Sequence, residues 1–358
     1  MVCAVTEPGN WIARQDDGRH IAHVKVLFNC SLPFSLAHGG QAIQILQTMK
    51  AMEAIGIEVE PMRWWDEQQQ GDLIHYVGRM PADHIRFAHQ KGMKVVMAEL
   101  LSGAGSQTRT QRVVRRIFRW GAENLAPNGF AAAFQWEPYQ LADGFTVNTS
   151  WEKFLIEYKF DADPAKIHVI PNGVETVFFN SARTERGPWL VCTATITERK
   201  RVLELAQAAI IAEAPVWVIG KAYADDDPYA QKFFKLAREN PKFIRFEGPV
   251  NDRAELAKIY RLARGFVLLS TKETQSLSSF EAAACECPLL LSDLPWAHSS
   301  FDGGVKFCPI SDSPEKTATF LRTFYNSAPQ LERPPQPATW TDTAFQFKSV
   351  YEKILSAP

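Results

Sequence analysis

The chain has 358 residues, of which 46% are hydrophobic and 22% are charged, a composition typical of folded globular proteins. Its 39 Lys and Arg residues balance 40 Asp and Glu residues, which argues against a dedicated nucleic-acid-binding protein because that class carries a basic excess. The length exceeds that of one typical core and predicts two α/β domains.

The six cysteines mostly lie within apolar runs, which predicts reduced, buried thiols. Cys285 and Cys287 form the one close pair, and a single intervening residue is not the spacing of a zinc or redox site. The first 20 residues are polar and lack the apolar core of a signal peptide. Since no run approaches the ~20 apolar residues that span a bilayer, we expect the protein in the cytoplasm.

The first half of the chain alternates between predicted strands and helices. A strand at 24–28 leads into a loop with Gly39-Gly40, then a helix from about 41 to 55 and a new strand from Ile57. This is the opening unit of a doubly wound sheet. Further strands are predicted in the apolar runs at 73–77, 94–97 and 144–147.

Residues 108–120 combine arginines with bulky apolar residues at helical spacing. At ~100° per residue the arginines share an arc of about 120°, and apolar side chains fill much of the opposite side. The arginines are Arg109, Arg112, Arg115, Arg116 and Arg119. The pattern predicts a basic amphipathic helix that contacts an anionic membrane surface or an anionic acceptor. An ordinary helix with a cationic outer face is the alternative.

A second alternating series begins near residue 188 and predicts a second sheet. Two parallel, doubly wound sheets place a cleft at the carboxyl ends of their strands, where ligands bind in such folds. A Pro-rich stretch at 333–337 precedes a last amphipathic helix at 341–355. The predicted strands of this half are 188–191, 216–219, 243–246, 266–269 and 289–291.

The most informative stretch runs from Ser270 to Asp293. A buried strand ends at Ser270, a loop carries Glu273, and Ser278 opens a helix that contains Glu281. The N-terminus of a helix offers free backbone N–H groups and a positive dipole end, which suit a diphosphate. Ser278 and Glu281 are also spaced as a capping box, in which Glu281 would only close the helix end.

Glu273 and Glu281, separated by seven residues, resemble the paired-glutamate motif of family 4 glycosyltransferases, which are retaining enzymes of the GT-B fold. Asn172-Gly173, within 167–179, resembles the segment that leaves the first domain in that family, although the pair alone is simply a good turn. The resemblance extends over nearly the whole chain after residue 22. The other similar segments are the glycine pair at 39–40, the strand and helix of 142–160, and 194–208, where Lys200 precedes a helix.

The resemblance implies an α/β protein with two Rossmann-like, doubly wound domains facing a cleft. The C-terminal helix is expected to cross back onto the N-terminal domain. The expected parts are an N-terminal extension (1–22), an acceptor-side domain (23–180), a nucleotide-sugar-binding domain (181–335) and the crossing helix (336–358).

The resemblance also assigns roles to residues. In the family the first glutamate contacts the transferred sugar and the second the ribose, here Glu273 and Glu281. Glu99 stands close to where the family often has a histidine, so Glu273 and Glu99 are the catalytic candidates, although Glu99 is alternatively a plain strand-end carboxylate. The donor-binding candidates are Gly39, Gly40, Asn172, Arg199, Lys200, Thr274, Gln275, Ser276, Leu277 and Glu281. His38, before the glycine pair, is either a cleft residue or a loop residue.

The sequence departs from the family's pattern near the expected donor. Residues 274–276 replace glycines that usually follow the first glutamate, which predicts a crowded or altered sugar pocket. Thr195 stands at a position that is basic in the family. Either Arg199 or Arg201 compensates, or nothing does and donor binding is weaker. The run 225–227 is three aspartates, which we interpret as a solvated acidic loop rather than a metal site.

The sequence therefore predicts a retaining, metal-independent glycosyltransferase with no cofactor. Its donor would be a nucleoside diphosphate sugar, and its acceptor a glycan, a lipid-linked compound or a small molecule. Peripheral contact with the inner face of an anionic membrane is expected through the arginine segment, and no nucleic-acid partner is expected. The alternatives are a GT-B sugar-nucleotide epimerase or hydrolase, and a degenerate, non-catalytic member that binds sugar.

Overall fold

Two parallel β-sheets organise the computed structural model, which describes residues 24–30, 40–101, 137–179, 185–224 and 226–357. In the described residues each sheet has six strands, with helices in the connections between them. The prediction of two doubly wound α/β domains is confirmed.

The N-terminal sheet has the strand order β2-β1-β3-β4-β5-β6. Its central strands are buried on both faces, which explains their nearly continuous apolar sequences. The predicted strands at 73–77 and 144–147 coincide with the observed β3 and β5. The strands are β1 (Lys25–Cys30), β2 (Glu58–Pro61), β3 (Leu73–Val77), β4 (Lys94–Ala98), β5 (Gly144–Val147) and β6 (Ile167–Val169).

The C-terminal sheet has the order β12-β11-β10-β7-β8-β9. The chain reverses direction across the sheet between β7 and β10, which is the switch point where doubly wound folds bind ligands. The strands are β7 (Leu190–Thr193), β8 (Val216–Ile219), β9 (Ile244–Phe246), β10 (Gly265–Leu268), β11 (Leu289–Ser292) and β12 (Val305–Cys308).

Helices connect most of these strands, and the last helix follows the second sheet. They are α1 (Gly40–Ala54), α2 (Ala82–Gln90), α3 (Glu137–Leu141), α4 (Ser150–Phe160), α5 (Val202–Ala212), α6 (Pro228–Glu239), α7 (Arg253–Leu262), α8 (Leu277–Ala284), α9 (Pro295–His298), α10 (Pro314–Ser327) and α11 (Trp340–Ser356). Single 3-10 turns lie at Pro164–Lys166, Thr176–Phe178, Glu198–Lys200 and Ala328–Gln330.

Two short strands, β6 and β12, were not predicted from the sequence. Both lie at a sheet edge, and both are only partly buried. An edge strand of three or four residues lacks the long apolar run that marks a central strand, so its periodicity signal is weak.

The C-terminal helix α11 crosses back onto the N-terminal domain, as predicted. Its buried Phe347 and Tyr351 belong to the core cluster that contains Val26 of β1. The Tyr351 hydroxyl lies 2.6 Å from Nδ1 of the buried His75, whose pKa is lowered to about 3 by burial. The helix therefore completes the core of the first domain after the chain has passed through the second.

The crossing explains Gly173. A Cβ at this position would lie 2.4 Å from the backbone N of Trp340, too close for any side chain. The backbone N–H of Val174 donates to the carbonyl of Ala338 at 2.9 Å, and Thr343 Oγ1 donates to the carbonyl of Pro171 at 3.0 Å. The glycine thus serves the close passage of two chain segments rather than only a turn.

The five cysteines in the described residues form no disulfide there, and four of them are buried, in agreement with the sequence-based prediction. Burial raises the pKa of Cys192 and Cys287 to about 12, so both remain protonated. Among the helices in the described ranges, none is long and apolar enough to cross a membrane.

Candidate donor and acceptor site

The two domains meet where the start of α8 faces the carboxyl edge of the N-terminal sheet. Leu277, the first residue of α8, packs against the N-terminal core cluster. Its Cδ1 lies 3.7 Å from where a Cβ on Gly40 would stand. Gly40 and Leu277, both expected near the donor, are therefore brought together.

Helix α8 begins earlier than the sequence suggested. Ser276 is its N-cap, and the Ser276 side chain accepts from the backbone N–H of Ser279 at 3.3 Å. The predicted capping box of Ser278 and Glu281 is wrong, because Glu281 lies in the second turn and its carboxylate contacts other elements. Ser276 and Ser278 both have a side chain suited to an N-cap, and the helix begins after Ser276.

Gln275 ties the loop before α8 to the other domain. Its Oε1 accepts from the backbone N–H of Asn172 at 2.7 Å, and its Nε2 donates to the carbonyl of Asn148 at 3.4 Å. Gln275 and Asn172 are buried, whereas Thr274 is half-buried. The side chain that replaces a glycine at 275 therefore points at the domain connection and fastens it.

Glu273 lies beside Lys200 and Arg199, two of the expected donor-binding residues. Its Oε1 lies 2.5 Å from Lys200 Nζ and 2.9 Å from Arg199 Nη1. The Glu273 and Lys200 side chains are 10% and 12% exposed, against 41% for Arg199. The site thus concentrates two cations and one carboxylate beside the N-terminus of α8, where a helix dipole attracts anions.

Backbone contacts hold the basic turn against the loop after β10. The backbone N–H of Thr271 donates to the carbonyl of Arg199 at 2.9 Å, and the Ser270 hydroxyl donates to the same carbonyl at 3.2 Å. Arg201 points elsewhere, with its guanidinium 3.6 Å from Asp312. Of the two arginines considered as replacements for a basic residue at Thr195, only Arg199 therefore lies at the site.

Glu281, in the second turn of α8, is buried and ion-paired. Its Oε1 lies 2.5 Å from Arg253 Nη2, and its Oε2 accepts from the Tyr260 hydroxyl at 3.4 Å. Arg253 Nε also donates to Glu175 at 2.6 Å. Burial raises the pKa of Glu281, while the charge of Arg253 opposes that rise.

The N-terminal domain contributes a cavity at the carboxyl ends of β3, β4 and β5. Its polar lining includes Gln44, Glu99, Thr146 and Asn148. The Thr146 hydroxyl and the Asn148 side-chain amide N are buried and have no hydrogen-bond partner among the described residues. Gln44 Nε2 donates to the other end of that amide, Asn148 Oδ1, at 3.3 Å. A buried polar group without a partner is costly, so the cavity is suited to a polar ligand group or water.

Glu99 directly follows β4, and two side chains hold it in place. The Tyr139 hydroxyl donates to Glu99 Oε1, and Arg79 Nε lies 3.4 Å from the same oxygen. Burial raises the pKa of Tyr139 well above its usual range, so the hydroxyl keeps its proton. The structure thus places Glu99 in the cavity of the N-terminal domain and Glu273 in the other domain.

Several of these side chains carried no signal in the sequence. Arg253 and Tyr260 lie on an ordinary amphipathic helix, and Glu175 follows the Asn172-Gly173 pair. Thr146 could have been found, because polar residues within the last positions of a buried strand are unusual.

Some predicted residues lie outside the described parts of the chain. They are His38, Gly39, Asp225 and the arginines Arg109, Arg112, Arg115, Arg116 and Arg119. Asp227 caps α6 by accepting from the backbone N–H of Tyr229 at 2.8 Å. No group of three or more His, Cys, Asp or Glu side chains in the described ranges is arranged to hold a metal ion.

Residues 187–326 match the family model described as glycosyl transferases group 1. This match covers the domain that contains Lys200, Glu273 and Glu281. No curated protein sequence matches the chain.

Solved structures with the same fold share little sequence with this chain. Sucrose-phosphate synthase from Thermosynechococcus elongatus is 16% identical, with a TM-score of 0.64 over 94% of this chain and 100% of that one. Anabaena HepE, in complex with UDP and glucose, is 14% identical, with a TM-score of 0.59 over 93% and 96% of the two chains.

The pneumococcal O-GlcNAc transferase GtfA, in complex with UDP and GlcNAc, is 15% identical, with a TM-score of 0.56. This match covers 80% of the present chain, which spans only 57% of the pneumococcal chain. At these identities the likeness establishes the fold, which is GT-B.

Proposed function

We propose that this chain, a GT-B glycosyltransferase whose residues 187–326 form a group 1 domain, transfers a sugar from a UDP-sugar with retention and without a metal ion. The observation that carries the proposal is the meeting of Glu273, Lys200 and Arg199 at the N-terminus of α8. UDP in the structures of HepE and GtfA favours uridine as the nucleoside of the donor.

The donor would lie along α8. Its diphosphate would contact Lys200, Arg199 and the free N–H groups of the first helical turn. The phosphates would replace Glu273 as the partner of Lys200 and Arg199. Glu273 would then accept hydrogen bonds from the sugar hydroxyls. Glu281 would accept from the ribose.

Transfer breaks the bond between the anomeric carbon and the phosphate oxygen, and the electron pair leaves with UDP. The cations stabilise the charge that develops on that oxygen, which is the kind of preorganised electrostatic effect that contributes most to many enzymes. The acceptor oxygen then bonds to the anomeric carbon on the face that UDP vacates, and the acceptor proton passes to the departing diphosphate. This scheme uses no carboxylate as a covalent nucleophile.

The acceptor group would enter the cavity of the N-terminal domain. Thr146 and Asn148 offer a hydroxyl and an amide N–H that have no partner among the described residues, and Glu99 offers a carboxylate. Such a lining suits an uncharged, hydroxyl-bearing group, because the carboxylate would repel an anion at this point.

Replacing Thr146 by valine tests the acceptor role. The change keeps the shape and removes a hydroxyl without a partner among the described residues, so we expect unchanged or slightly higher thermal stability. The KM for acceptor should rise about 3- to 10-fold, as for one lost hydrogen bond, while UDP affinity stays at the wild-type value. Thr343→Val is the matched control, because its hydroxyl already donates to Pro171.

The control should lose stability and keep the acceptor KM. Equal acceptor KM values for wild type and Thr146→Val would show that this hydroxyl does not contact the acceptor.

The stereochemistry and metal independence are tested together by following UDP-glucose and UDP-GlcNAc by NMR. Without acceptor we expect slow release of UDP, with the α-anomer of the sugar formed first and a rate unchanged by EDTA. First appearance of the β-anomer would contradict retention. A rate that EDTA abolishes and magnesium restores would contradict metal independence. No release at all, with intact UDP binding, would favour the non-catalytic alternative.

The arginines at 109, 112, 115, 116 and 119 lie outside the described residues. Their contact with an anionic membrane or an anionic acceptor stays a prediction.

A further inference from the structure

We propose that Arg253 is a positioning residue for the nucleotide: it holds the buried Glu281 carboxylate in the orientation that receives the ribose hydroxyls. This inference rests on the proposed function, since it concerns the same donor site. It adds a residue that neither the sequence motif nor the family resemblance identified.

The guanidinium of Arg253 is fixed at three points. Its Nη2 lies 2.5 Å from Glu281 Oε1, its Nε donates to Glu175 Oε2 at 2.6 Å, and its central carbon lies 4.7 Å from the centre of the Phe178 ring. A planar group held on two carboxylates and an aromatic face has little rotational freedom. It can therefore set the plane of the Glu281 carboxylate.

The backbone of Arg253 is equally constrained. It is the first residue of α7, directly after the N-cap Asp252, whose side chain accepts from Ala254 and Glu255. Glu175 lies in the connection between the two domains, two residues after Gly173. Arg253 thus joins Glu281 of α8 to Glu175 in the segment that connects the two domains.

The charges around Glu281 explain why a cation is needed there. Glu281 is 7% exposed, and a buried carboxylate without a counter-charge takes up a proton. The ionisable groups that act on it are Arg253 and Tyr260 of α7, Glu175, and Cys285 after α8. Arg253 is the one cation in that set, and Glu175 acts in the opposite direction. Without Arg253, Glu281 would be protonated at higher pH and would lose part of its ability to accept from ribose.

The test is calorimetric titration of UDP into wild type and Arg253→Gln between pH 5.5 and 9. At pH 7 we expect about 10- to 100-fold weaker binding for the variant, as for a disrupted charged hydrogen bond. The affinity should recover partly toward pH 9, where Glu281 ionises again. Arg253→Lys keeps the charge and loses the planar fork, so it should show the wild-type pH profile with about 3- to 10-fold weaker binding.

Glu281→Gln is the control for pH, because its side chain does not titrate. It should bind UDP weakly at every pH, and adding Arg253→Gln to it should cost less than Arg253→Gln alone. A purely structural ion pair would lower thermal stability in both Arg253 variants and leave the pH profile of UDP binding unchanged.

The outcomes separate this inference from the proposed function. If wild type does not bind UDP, the proposed donor is wrong. If wild type binds UDP and either Arg253→Lys binds it equally tightly or Arg253→Gln keeps the wild-type affinity and pH profile, Arg253 does not position Glu281 and the donor site stands. Should Arg253→Gln fail to fold, Arg253→Lys decides by the same criterion.

Discussion

Replacing Lys200 by methionine is expected to lower kcat for sugar transfer or donor hydrolysis by about 10²- to 10³-fold, the usual cost of losing one group that stabilises transition-state charge. The Lys200 side chain is 12% exposed and contacts Glu273, which precedes the N-terminus of α8. In the proposed function this is where the leaving diphosphate would gain charge. Methionine keeps much of the length and removes the charge. UDP release from UDP-glucose measures the effect.

Lys235→Met is the matched control. Lys235 is 72% exposed and pairs at 3.9 Å with Glu239 on the surface of α6, so its loss should leave the rate unchanged. A Lys200→Met enzyme that is folded and within twofold of the control would remove Lys200 from the donor site.

Replacing Glu273 by glutamine is expected to lower kcat by about 10- to 100-fold, because a charged acceptor for the sugar hydroxyls becomes a neutral one. The same change should leave UDP affinity equal to or higher than wild type. In the structure Glu273 neutralises Lys200 and Arg199, and a neutral amide would leave both cations free for the phosphates. Kinetics and calorimetry on one preparation measure both effects.

A lower kcat with an unchanged or higher UDP affinity distinguishes a sugar-binding role of Glu273 from a structural one. A structural Glu273 would, when replaced, disorder the basic turn and weaken UDP binding together with kcat. Glu239→Gln, an exposed change on α6, serves as the control. A Glu273→Gln enzyme with wild-type kcat would contradict the assignment.

The sequence predicted the bounds of strands correctly where a buried strand is also a continuous apolar run. The central strands β3, β5 and β8 are buried and mostly apolar, so their bounds could be read directly. The edge strands β6 and β12 could not, because half-exposed segments of three or four residues lack an apolar run. The return of α11 to the N-terminal domain was predicted from the family resemblance. Gly173 is the residue whose lack of a side chain allows the close passage of that segment.

The site was predicted less completely than the fold. Glu273, Lys200 and Arg199 were identified from the resemblance to the family, and the structure brings them together. The capping box at Ser278 was wrong because Ser276 is an equally suitable N-cap residue, and the helix begins directly after Ser276. Arg253 could not be predicted, since its role arises from a contact 28 residues away.

The proposed account rests on a donor nucleotide bound between Lys200 and Glu281. Its most direct test is calorimetric titration of UDP into the wild-type protein and into Lys200→Met, with Lys235→Met as the reference. We predict one UDP per chain for wild type and the reference, and binding at least about 10-fold weaker for Lys200→Met, as for a lost charged contact. Absence of UDP binding to wild type, or equal affinity in all three proteins, would contradict it.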